Sequence, residues 1–248
     1  MLKIESPQND TYKKLLSLAS SKGLKKEGLF LLSGEKLIRE FLKKPQLKII
    51  YEIIGPHMEP FQTDASLQLQ LTHELFSELD VLGTRSNILV LQQPEIQNMS
   101  AEDLASYRTK GIEAVIPIGD PGNLGALIRS CEAFGVPRVI LTQEAAHPFL
   151  PKSVKASAGS VLRVPLSRGP ALAEFPRNCI ALDMDGTAID DFVWPKNGML
   201  VVGEEGPGLE GQGKSPFAQH IRIPTVGVES LNVVVAASIA LADRARKD

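Results

Sequence analysis

Five polar residues, spread over three segments of the sequence, could take part in binding or chemistry. Asn123 and Arg129 lie in the first segment, Glu205 in the second, and Ser230 and Asn232 in the third. A guanidinium group can hold a phosphate through two parallel hydrogen bonds, so Arg129 indicates an anionic ligand. Glu205 and the residue before it are both carboxylates, which is unusual in a turn that only reverses the chain. These five residues are the candidates for a functional site.

The third segment, residues 221–246, is the one around which we organise the predicted fold. Its apolar run at 233–242 spans about 15 Å as a helix, which is too short to cross a bilayer. We therefore predict a helix that is buried on most sides. Ser230 and Asn232 precede it and place a hydroxyl and an amide at its positive end. The simpler interpretation is that these residues only cap a core helix, so the other two segments are needed to favour a ligand.

Apolar strands alternate with helices from residue 112 onward. We predict strands at 112–118, 138–141, 179–182 and 199–202, helices at 124–134 and 151–158, an apolar segment at 161–166 and a connection at 167–178. This alternation predicts an α/β domain whose parallel sheet is covered on both faces. Ligands bind such sheets beyond the carboxyl ends of the strands. The turns at 119–125, 203–208 and 224–232 all follow strands, so we expect them to converge on one site.

The turn at 119–125 has a simple structural explanation. Its glycines at 119, 122 and 125 do not follow the GxGxxG spacing, so a dinucleotide site is unsupported. The turn could merely lead from a strand into a helix, with Asn123 as the N-cap. Arg129 is harder to explain in this way, because it lies six residues after Asn123 on a helix with apolar Leu124, Leu127 and Ile128.

Residues 1–97 show the alternation of a second, smaller α/β domain. We predict helices at 6–20, at 33–43 with Ser33 as the cap, and after Thr72, and strands at 29–32, 47–54, 67–71 and 88–91. The polar stretch at 97–100 marks the domain boundary, which gives a linker at 98–111 and a second domain at 112–248. The first domain contains no group of residues that predicts catalysis.

Charge is distributed unevenly within the first domain. Residues 1–50 contain 11 basic and 5 acidic residues, a net charge of +6, whereas residues 51–97 carry a net charge of −6. A basic surface can face phosphates, but a solvated lysine face explains the same pattern equally well. The net charge of −2 and the pI of about 6.1 for the whole chain do not indicate nucleic acid by themselves.

The length and the cysteine count exclude several classes of protein. A chain of 248 residues can hold one large or two small domains. Cys131 and Cys179 lack the spacing of metal ligands, and the 4 histidines are scattered, so we expect no metal. The first residues form neither a signal sequence nor an Arg-rich transit peptide. We therefore expect a cytoplasmic protein that does not enter the membrane.

One segment imitates a different enzyme class. The run ALDMDGT at 181–187 resembles the aspartate-nucleophile motif of haloacid-dehalogenase-type phosphatases. Asp183 could attack a phosphate, and Asp185 could serve as the acid or base. That motif normally opens its domain, however, and here only 61 residues follow Thr187. We expect these aspartates to shape a loop instead.

Taken together, the three segments resemble the SpoU (TrmH-type) family of SPOUT RNA 2′-O-ribose methyltransferases. The motifs occur in the family's order, as DPGNLGALIRSCEAFGV (120–136), LVVGEEGPGLEG (200–211) and IRIPTVGVESLNVVVAASIALADRAR (221–246). The segment PKSVKASAGSVLRVPL (151–166) also looks like the family. Residues 1–97 are similar to the small ribosomal-protein-like RNA-binding domain that many members carry.

This resemblance implies an α/β fold, with a SPOUT-type catalytic domain whose C-terminal segment forms a trefoil knot. It further implies S-adenosylmethionine as the cofactor, RNA (rRNA more than tRNA) as the substrate, and a homodimer formed through the catalytic domain. Asn123, Arg129, Glu205, Ser230 and Asn232 would be catalytic residues. Backbone groups of Gly203, Ile223 and Leu231 would bind the cofactor. Glu204 stands where relatives often have Asn.

The resemblance also suggests roles for individual side chains. We expect Arg129 to grip the phosphate next to the target and to stabilise the developing alkoxide, since guanidinium rarely gives up its proton. Asn123 and Ser230 would orient the ribose, and Asn232 or Glu205 would fix Arg129. Two alternatives stay open at this point: an RNA-binding or ribosome-assembly factor without catalysis, and the phosphatase. The sequence does not identify the target nucleotide.

Overall fold

Twelve strands and eight helices are found in the computed structural model, which describes residues 1–61, 63–64, 67–203, 216–228 and 230–247. The strands are β1 (Leu2–Ile4), β2 (Leu29–Ser33), β3 (Ile49–Ile54), β4 (Leu67–Leu71), β5 (Ile88–Gln92), β6 (Gln97–Asn98), β7 (Ile112–Ile116), β8 (Val139–Leu141), β9 (Leu166–Arg168), β10 (Ile180–Ala188), β11 (Gly198–Val201) and β12 (Gln219–Arg222). The helices are α1 (Asp10–Ser17), α2 (Ser21–Glu27), α3 (Glu35–Lys43), α4 (His73–Leu79), α5 (Ala101–Ser106), α6 (Pro121–Ala133), α7 (Pro151–Ala156) and α8 (Val233–Lys247).

The first compact unit combines Met1–Glu95 with the distant segment His147–Gly159. Its sheet has the strand order β1-β4-β3-β5-β2, in which β4 runs parallel to both of its neighbours and β5 runs antiparallel to both of its own. Helix α7 was predicted as part of the catalytic domain, but it packs on β2 of this unit, where Phe149 stacks on Phe30 at 4.8 Å between ring centroids. Both rings are fully buried.

Side-chain hydrogen bonds cap the first turns of α1, α2 and α4 in this unit. The Asn9 side chain accepts from the Tyr12 N–H at 3.1 Å, and Thr72 caps α4 as predicted. The prediction for α3 was wrong by one residue, because the helix follows Gly34, which has a φ of 98° and makes no capping hydrogen bond through a side chain. Ser33 instead ends β2, a strand buried over its whole length.

The second unit contains Ile96–Ala146 and Ser160–Asp248. Its sheet has the strand order β12-β10-β11-β7-β8-β9-β6, and every pairing in it is parallel, which confirms the predicted sheet type. Residues 98–111, predicted as a linker, contain α5, whose Leu104 packs into the core of this unit. A capping box between Ser100 and Asp103 begins that helix.

Helix α8 differs from the helix that the sequence predicted. It extends to Lys247, and its buried residues form a single stripe of Ala237, Ala240, Leu241 and Asp243. Val235 and Ile239 are 48% and 37% exposed, so the expectation of burial on most sides was wrong. The described helices include none with the length and apolar character needed to span a membrane.

Candidate active site

The parallel sheet brings the predicted turns to one edge. Since all strands of the second unit run in the same direction, the turns that follow β7, β11 and β12 leave from the same side of the sheet. Strand β11 pairs directly with β7, and the N–H of Val202 donates to Val115 O at 3.2 Å just beyond this pairing. Gly203, the next residue, therefore lies beside the chain that leaves β7. Strand β12 is separated from β11 by β10 alone.

The turn after β7 begins helix α6 through an aspartate. The Asp120 side chain is the N-cap and accepts from the N–H of Asn123 at 2.8 Å, while Pro121 occupies the first helical position. Proline suits this position because the N–H that it lacks has no partner in a helix. The simpler explanation of Asn123 as the cap is thus wrong. Asn123 lies inside the first turn of α6 and is partly buried.

Arg129 projects from α6 into solvent. Its side chain is exposed and makes no hydrogen bond or ion pair with any residue that the structure describes. Its neighbour Ser130 lies 2.7 Å from Ser238, measured between the two Oγ atoms, and so joins α6 to α8. The Ser238 hydroxyl also contacts Val234 O one turn earlier in α8. The helix that carries Asn123 and Arg129 is therefore fixed against the helix that the third motif begins.

The third motif contains the residue that caps the beginning of α8. Asn232 Oδ1 accepts from the N–H groups of Val234 at 2.9 Å and Val235 at 3.4 Å. Ser230 is exposed, and Leu231 is half-buried. This geometry assigns Asn232 the capping role that the simpler interpretation gave it. Because the oxygen is used by the cap, only the amide N–H₂ of Asn232 is left to meet a ligand.

Two of the three residues predicted to contact the cofactor, Ile223 and Leu231, lie in the loop between β12 and α8. Ile223 follows β12 directly and is half-buried, as is Gly203 after β11. The Thr225 hydroxyl donates to Val228 O at 2.8 Å and closes this loop on itself. Glu205, the predicted carboxylate of the second motif, lies outside the described residues.

The phosphatase-like motif has a structural role here. Asp183 lies within β10, with its carboxylate 3.0 Å from Nδ1 of His220 on β12, rather than at the end of a strand as a nucleophile would. A Cβ on Gly186 would lie 2.5 Å from backbone atoms of His220 and Ile221, so glycine is required where β12 passes. In the described part of the chain, no group of three or more His, Cys, Asp or Glu side chains could hold a metal ion.

Neither cysteine is suited to act as a nucleophile. Burial raises the pKa of the Cys131 thiol to about 12, and it does the same for Cys179. Both thiols are therefore neutral near pH 7. No histidine belongs to any of the three motifs.

Sequence reasoning missed the residues that hold this site in place. Asp120 could have been found, because an aspartate directly before a proline is a frequent start of a helix. The contact between Ser130 and Ser238 had no signal, since it joins two small polar residues 108 positions apart.

The chain is similar to RNA methyltransferases over most of its length. The profile of the SpoU rRNA Methylase family matches residues 114–242. The "Ribosomal RNA small subunit methyltransferase G 2" of Syntrophobacter fumaroxidans is 39% identical over 245 residues, which cover 96% of this chain but only 48% of that protein. The "23S rRNA (guanosine(2553)-2'-O)-methyltransferase RlmP" of Bacillus subtilis is 29% identical, with 96% of this chain and 97% of that protein covered. The chain thus spans about half of one relative and nearly all of the other.

Solved structures share the fold. The AdoMet-bound rRNA methyltransferase from Sinorhizobium meliloti superimposes with a TM-score of 0.78 at 23% identity, over 98% of this chain and 97% of that one. The SpoU methyltransferase AviRb from Streptomyces viridochromogenes gives a TM-score of 0.77 at 21% identity, over 96% and 97% of the two chains. At such identities the likeness shows the α/β fold with its parallel sheet.

Proposed function

Because the chain belongs to the SpoU rRNA methylase family, we propose that it transfers a methyl group from S-adenosylmethionine to a ribose 2′-OH of a structured RNA. The substrate is rRNA rather than tRNA, since relatives that align with 96% of this chain are named rRNA methyltransferases. The observation that carries the proposal is Arg129, an exposed arginine without a described partner on the helix that begins at the ligand-binding edge of the sheet.

The structure offers suitable groups for the cofactor. Gly203, Ile223 and Leu231 are half-buried, and their backbone N–H and C=O groups make no hydrogen bond with the described residues. Free backbone groups beside apolar side chains suit an adenosine, which needs both hydrogen bonds to its edge and a dry surface for its ring. These three residues would hold the cofactor, and it would supply the electrophilic methyl group when bound.

Arg129 would act on the RNA. Because a guanidinium rarely gives up its proton, Arg129 would hold the phosphate beside the target ribose and stabilise the negative charge that develops on the 2′-oxygen during transfer. Asn123 and Ser230 would orient the ribose so that its oxygen attacks in line. Asn232 would not fix Arg129 through its side-chain oxygen, because that oxygen caps α8. Its N–H₂ group would instead donate to the RNA, and fixing Arg129 would fall to Glu205.

The change Arg129→Lys tests this assignment. Lysine keeps the positive charge but loses the planar fork, so we expect kcat to fall by about 100-fold or more while the Kd for S-adenosylmethionine stays unchanged. Methyl transfer to total rRNA from tritiated cofactor and calorimetric titration of the cofactor measure the two effects. Arg108→Lys is the control, since Arg108 is exposed and contacts only nearby carbonyls. Near-normal turnover of Arg129→Lys would refute the assignment.

The C-terminal part of this fold would be knotted. Strand β10 is inserted between β11 and β12 in a parallel sheet, and the family resemblance implies that the chain after β11 passes through a loop before it forms α8. The α/β fold shared with SpoU methyltransferase structures supports this part of the proposal.

The active form would be a homodimer built on the catalytic domain. Val235 and Ile239 are four residues apart on α8, so they share one exposed apolar face. Ile239→Glu should convert the dimer to a monomer, because a carboxylate in an apolar interface loses its hydration. Light scattering after size-exclusion chromatography measures the mass. Ala245→Glu, which adds the same charge at an exposed position on a different side of this helix, should leave the mass unchanged, and a dimeric Ile239→Glu protein would exclude this interface.

The first unit would recognise the RNA, and one basic surface available for this is formed on α1 and α2 by Lys13, Lys14, Lys22, Lys25 and Lys26. Since rRNA is transcribed and assembled in the cytoplasm of bacteria, the proposed substrate places the protein there. An assembly factor without catalysis is the second candidate. It would bind rRNA as tightly but transfer no methyl group, so the same assay separates the two.

A further inference from the structure

A groove of about 770 Å³ in the first unit is separate from the proposed cofactor and methyl-transfer site. Its walls are one side of α3, the loop that follows β3, and residues 85–87 before β5. Ligand pockets in proteins usually measure roughly 300–1,000 Å³, so this groove has room for a nucleotide. All of its lining residues belong to the first unit.

Two buried polar residues build the loop that forms the second wall. Glu52 is fully buried on β3, and its carboxylate accepts from the backbone N–H of Phe61 and, at 2.9 Å, from the Thr63 hydroxyl. Asn87 is 3% exposed, accepts from the N–H of Gly55 and donates to the carbonyl of Glu59 at 2.8 Å. Because buried side chains fix this loop from beneath, the groove is formed before any ligand arrives.

Planar and cationic groups line the groove. The guanidinium of Arg39 lies over the ring of Phe61, 5.2 Å from its centroid, and is held by Glu35 at 2.8 Å. The side chains of Arg85 and Lys43 are exposed and make no hydrogen bond or ion pair within the described parts of the chain. One face of the Arg39 plane is thus supported, and two cations are free to meet an anion.

Arg85 is held in an unusual backbone conformation. Its φ is 50°, in the left-handed region that residues other than glycine, asparagine and aspartate seldom adopt. The Asp80 carboxylate accepts from the Arg85 N–H at 2.8 Å and from the Thr84 hydroxyl at 3.0 Å, and these bonds maintain the conformation. Strained residues of this kind are frequent where a side chain must be presented to a ligand.

We propose that this groove binds one unstacked nucleotide of single-stranded RNA, a partner that rests on the function proposed above. The base stacks on the Arg39 guanidinium, which Phe61 supports from the other side, and the phosphate meets Arg85 and Lys43. Proteins read single-stranded RNA through stacking on aromatic or guanidinium planes combined with cationic groups along the backbone. Glu59 also lines the groove, and its carboxylate would accept from an amino group of the base.

The lysine cluster on α1 and α2 explains binding less well than the groove does. Lys14 and Lys26 are 3.0 and 3.5 Å from the Glu27 carboxylate, so part of that positive charge is already neutralised. The hydrogen bond from Lys14 is the largest cause that lowers the pKa of Glu27, which keeps this carboxylate charged. That cluster also offers no planar group for a base.

The test compares groove variants of the full chain with a matched control. We expect Arg85→Asn, which keeps a residue tolerant of the left-handed region, and Arg39→Gln each to weaken binding of a fluorescein-labelled 12-nucleotide single-stranded RNA of mixed sequence by about tenfold. Lys36→Gln removes a charge from the same helix but does not line the groove, so it should change the Kd by less than about twofold. Fluorescence anisotropy measures the Kd, and a 12-base-pair duplex should be insensitive to Arg39→Gln.

Wild-type affinity in both groove variants would overturn the proposal and would leave the groove to a protein partner. Equal losses in the groove variants and in Lys36→Gln would also overturn it, because the effect would then be diffuse electrostatics. Calorimetry with S-adenosylmethionine on the same proteins tests the methyltransferase separately. The cofactor should bind all of them equally, and its failure to bind the wild type would count against the proposed function without touching the groove.

Discussion

Asn232 combines a structural task with a proposed chemical one. Its oxygen caps α8, whereas its N–H₂ group is left for a ligand. The cap alone would explain an asparagine at this position, and so would an aspartate. The two tasks can therefore be separated by changing one atom of the side chain at a time.

We predict that Asn232→Asp unfolds in urea like the wild type, whereas Asn232→Ala loses about 1 kcal/mol of stability. Both variants should lose most of their methyl transfer, since neither retains the amide donor. Urea titrations followed by circular dichroism and the tritium assay measure the two properties. If Asn232→Asp were fully active, the residue would be only a cap.

Single residues of the site were predictable to different degrees. Arg129 stood out in the sequence because it follows apolar Leu127 and Ile128 on the predicted helix, and the structure leaves it exposed as a ligand-binding side chain should be. By residue type, Asn123 and Asp120 are both suitable N-caps. Only the preference of proline for the first helical position, filled here by Pro121, identifies Asp120 as the cap. The catalytic roles of all five candidates stay predictions.

At the scale of elements, α8 depends on a contact near its C-terminal end. Asp243 is buried on α8 and accepts from Trp194 Nε1 at 2.9 Å, and it lies 3.0 Å from Lys247 Nζ. Lys247 also donates to the Ile189 carbonyl at 2.9 Å. These bonds attach α8 to the loop that follows β10.

The stability of α8 should therefore depend on pH. Burial raises the pKa of Asp243, but the hydrogen bonds from Trp194 and Lys247 outweigh it, so the pKa is lowered overall. A lowered pKa stabilises the fold above the unfolded value near 4 and ceases to do so as the pH falls through the folded value. We expect Asp243→Asn to cost about 1–2 kcal/mol at pH 7 and less below pH 4, measured by urea unfolding.

The control for this experiment is Asp190→Asn, which removes the same charge from an exposed residue near the loop. It should follow the wild-type stability at every pH. A constant difference between Asp243→Asn and the wild type down to pH 2 would show that the carboxylate charge is not the stabilising group.

Predictions of elements agree with the structure where the hydrophobic pattern is local. They are wrong where burial depends on residues that are distant in the sequence. Strand β4 begins and ends where the alternation of Leu67 to Leu71 placed it. The apolar run of α8 predicted burial on most sides, because hydropathy does not distinguish an apolar face in the core from an apolar face that is exposed. Val235 and Ile239 form such an exposed face.

At the scale of the whole molecule, the chain crosses from one unit to the other three times, near residues 95, 146 and 159. The polar stretch at 97–100 predicted a domain boundary close to the first of these crossings. The other two had no local signal, because the apolar residues around Phe149 are compatible with any core and do not specify β2 as their partner. The role of residues 1–97 in binding RNA stays a proposal.

The segment 147–159 should make the second unit insoluble by itself. A fragment of residues 96–248 exposes Phe149 and Val154, which are fully buried in the intact chain. We expect it to aggregate, and we expect Phe149→Ser to improve its recovery as a soluble species in size-exclusion chromatography. A monodisperse, unmodified fragment with native-like unfolding would contradict the prediction and would mean that the segment repacks.

This arrangement sets the order in which parts of the fold can be completed during synthesis on the ribosome. Residues 1–95 emerge first and contain all five strands of their sheet, yet β2 stays without α7 until residue 159 has left the exit tunnel. At about 5–20 residues per second, those 64 further residues take several seconds. During that interval the Phe30 side of β2 is open to water, so the nascent chain presents an apolar surface that a chaperone could hold before the second unit begins to fold.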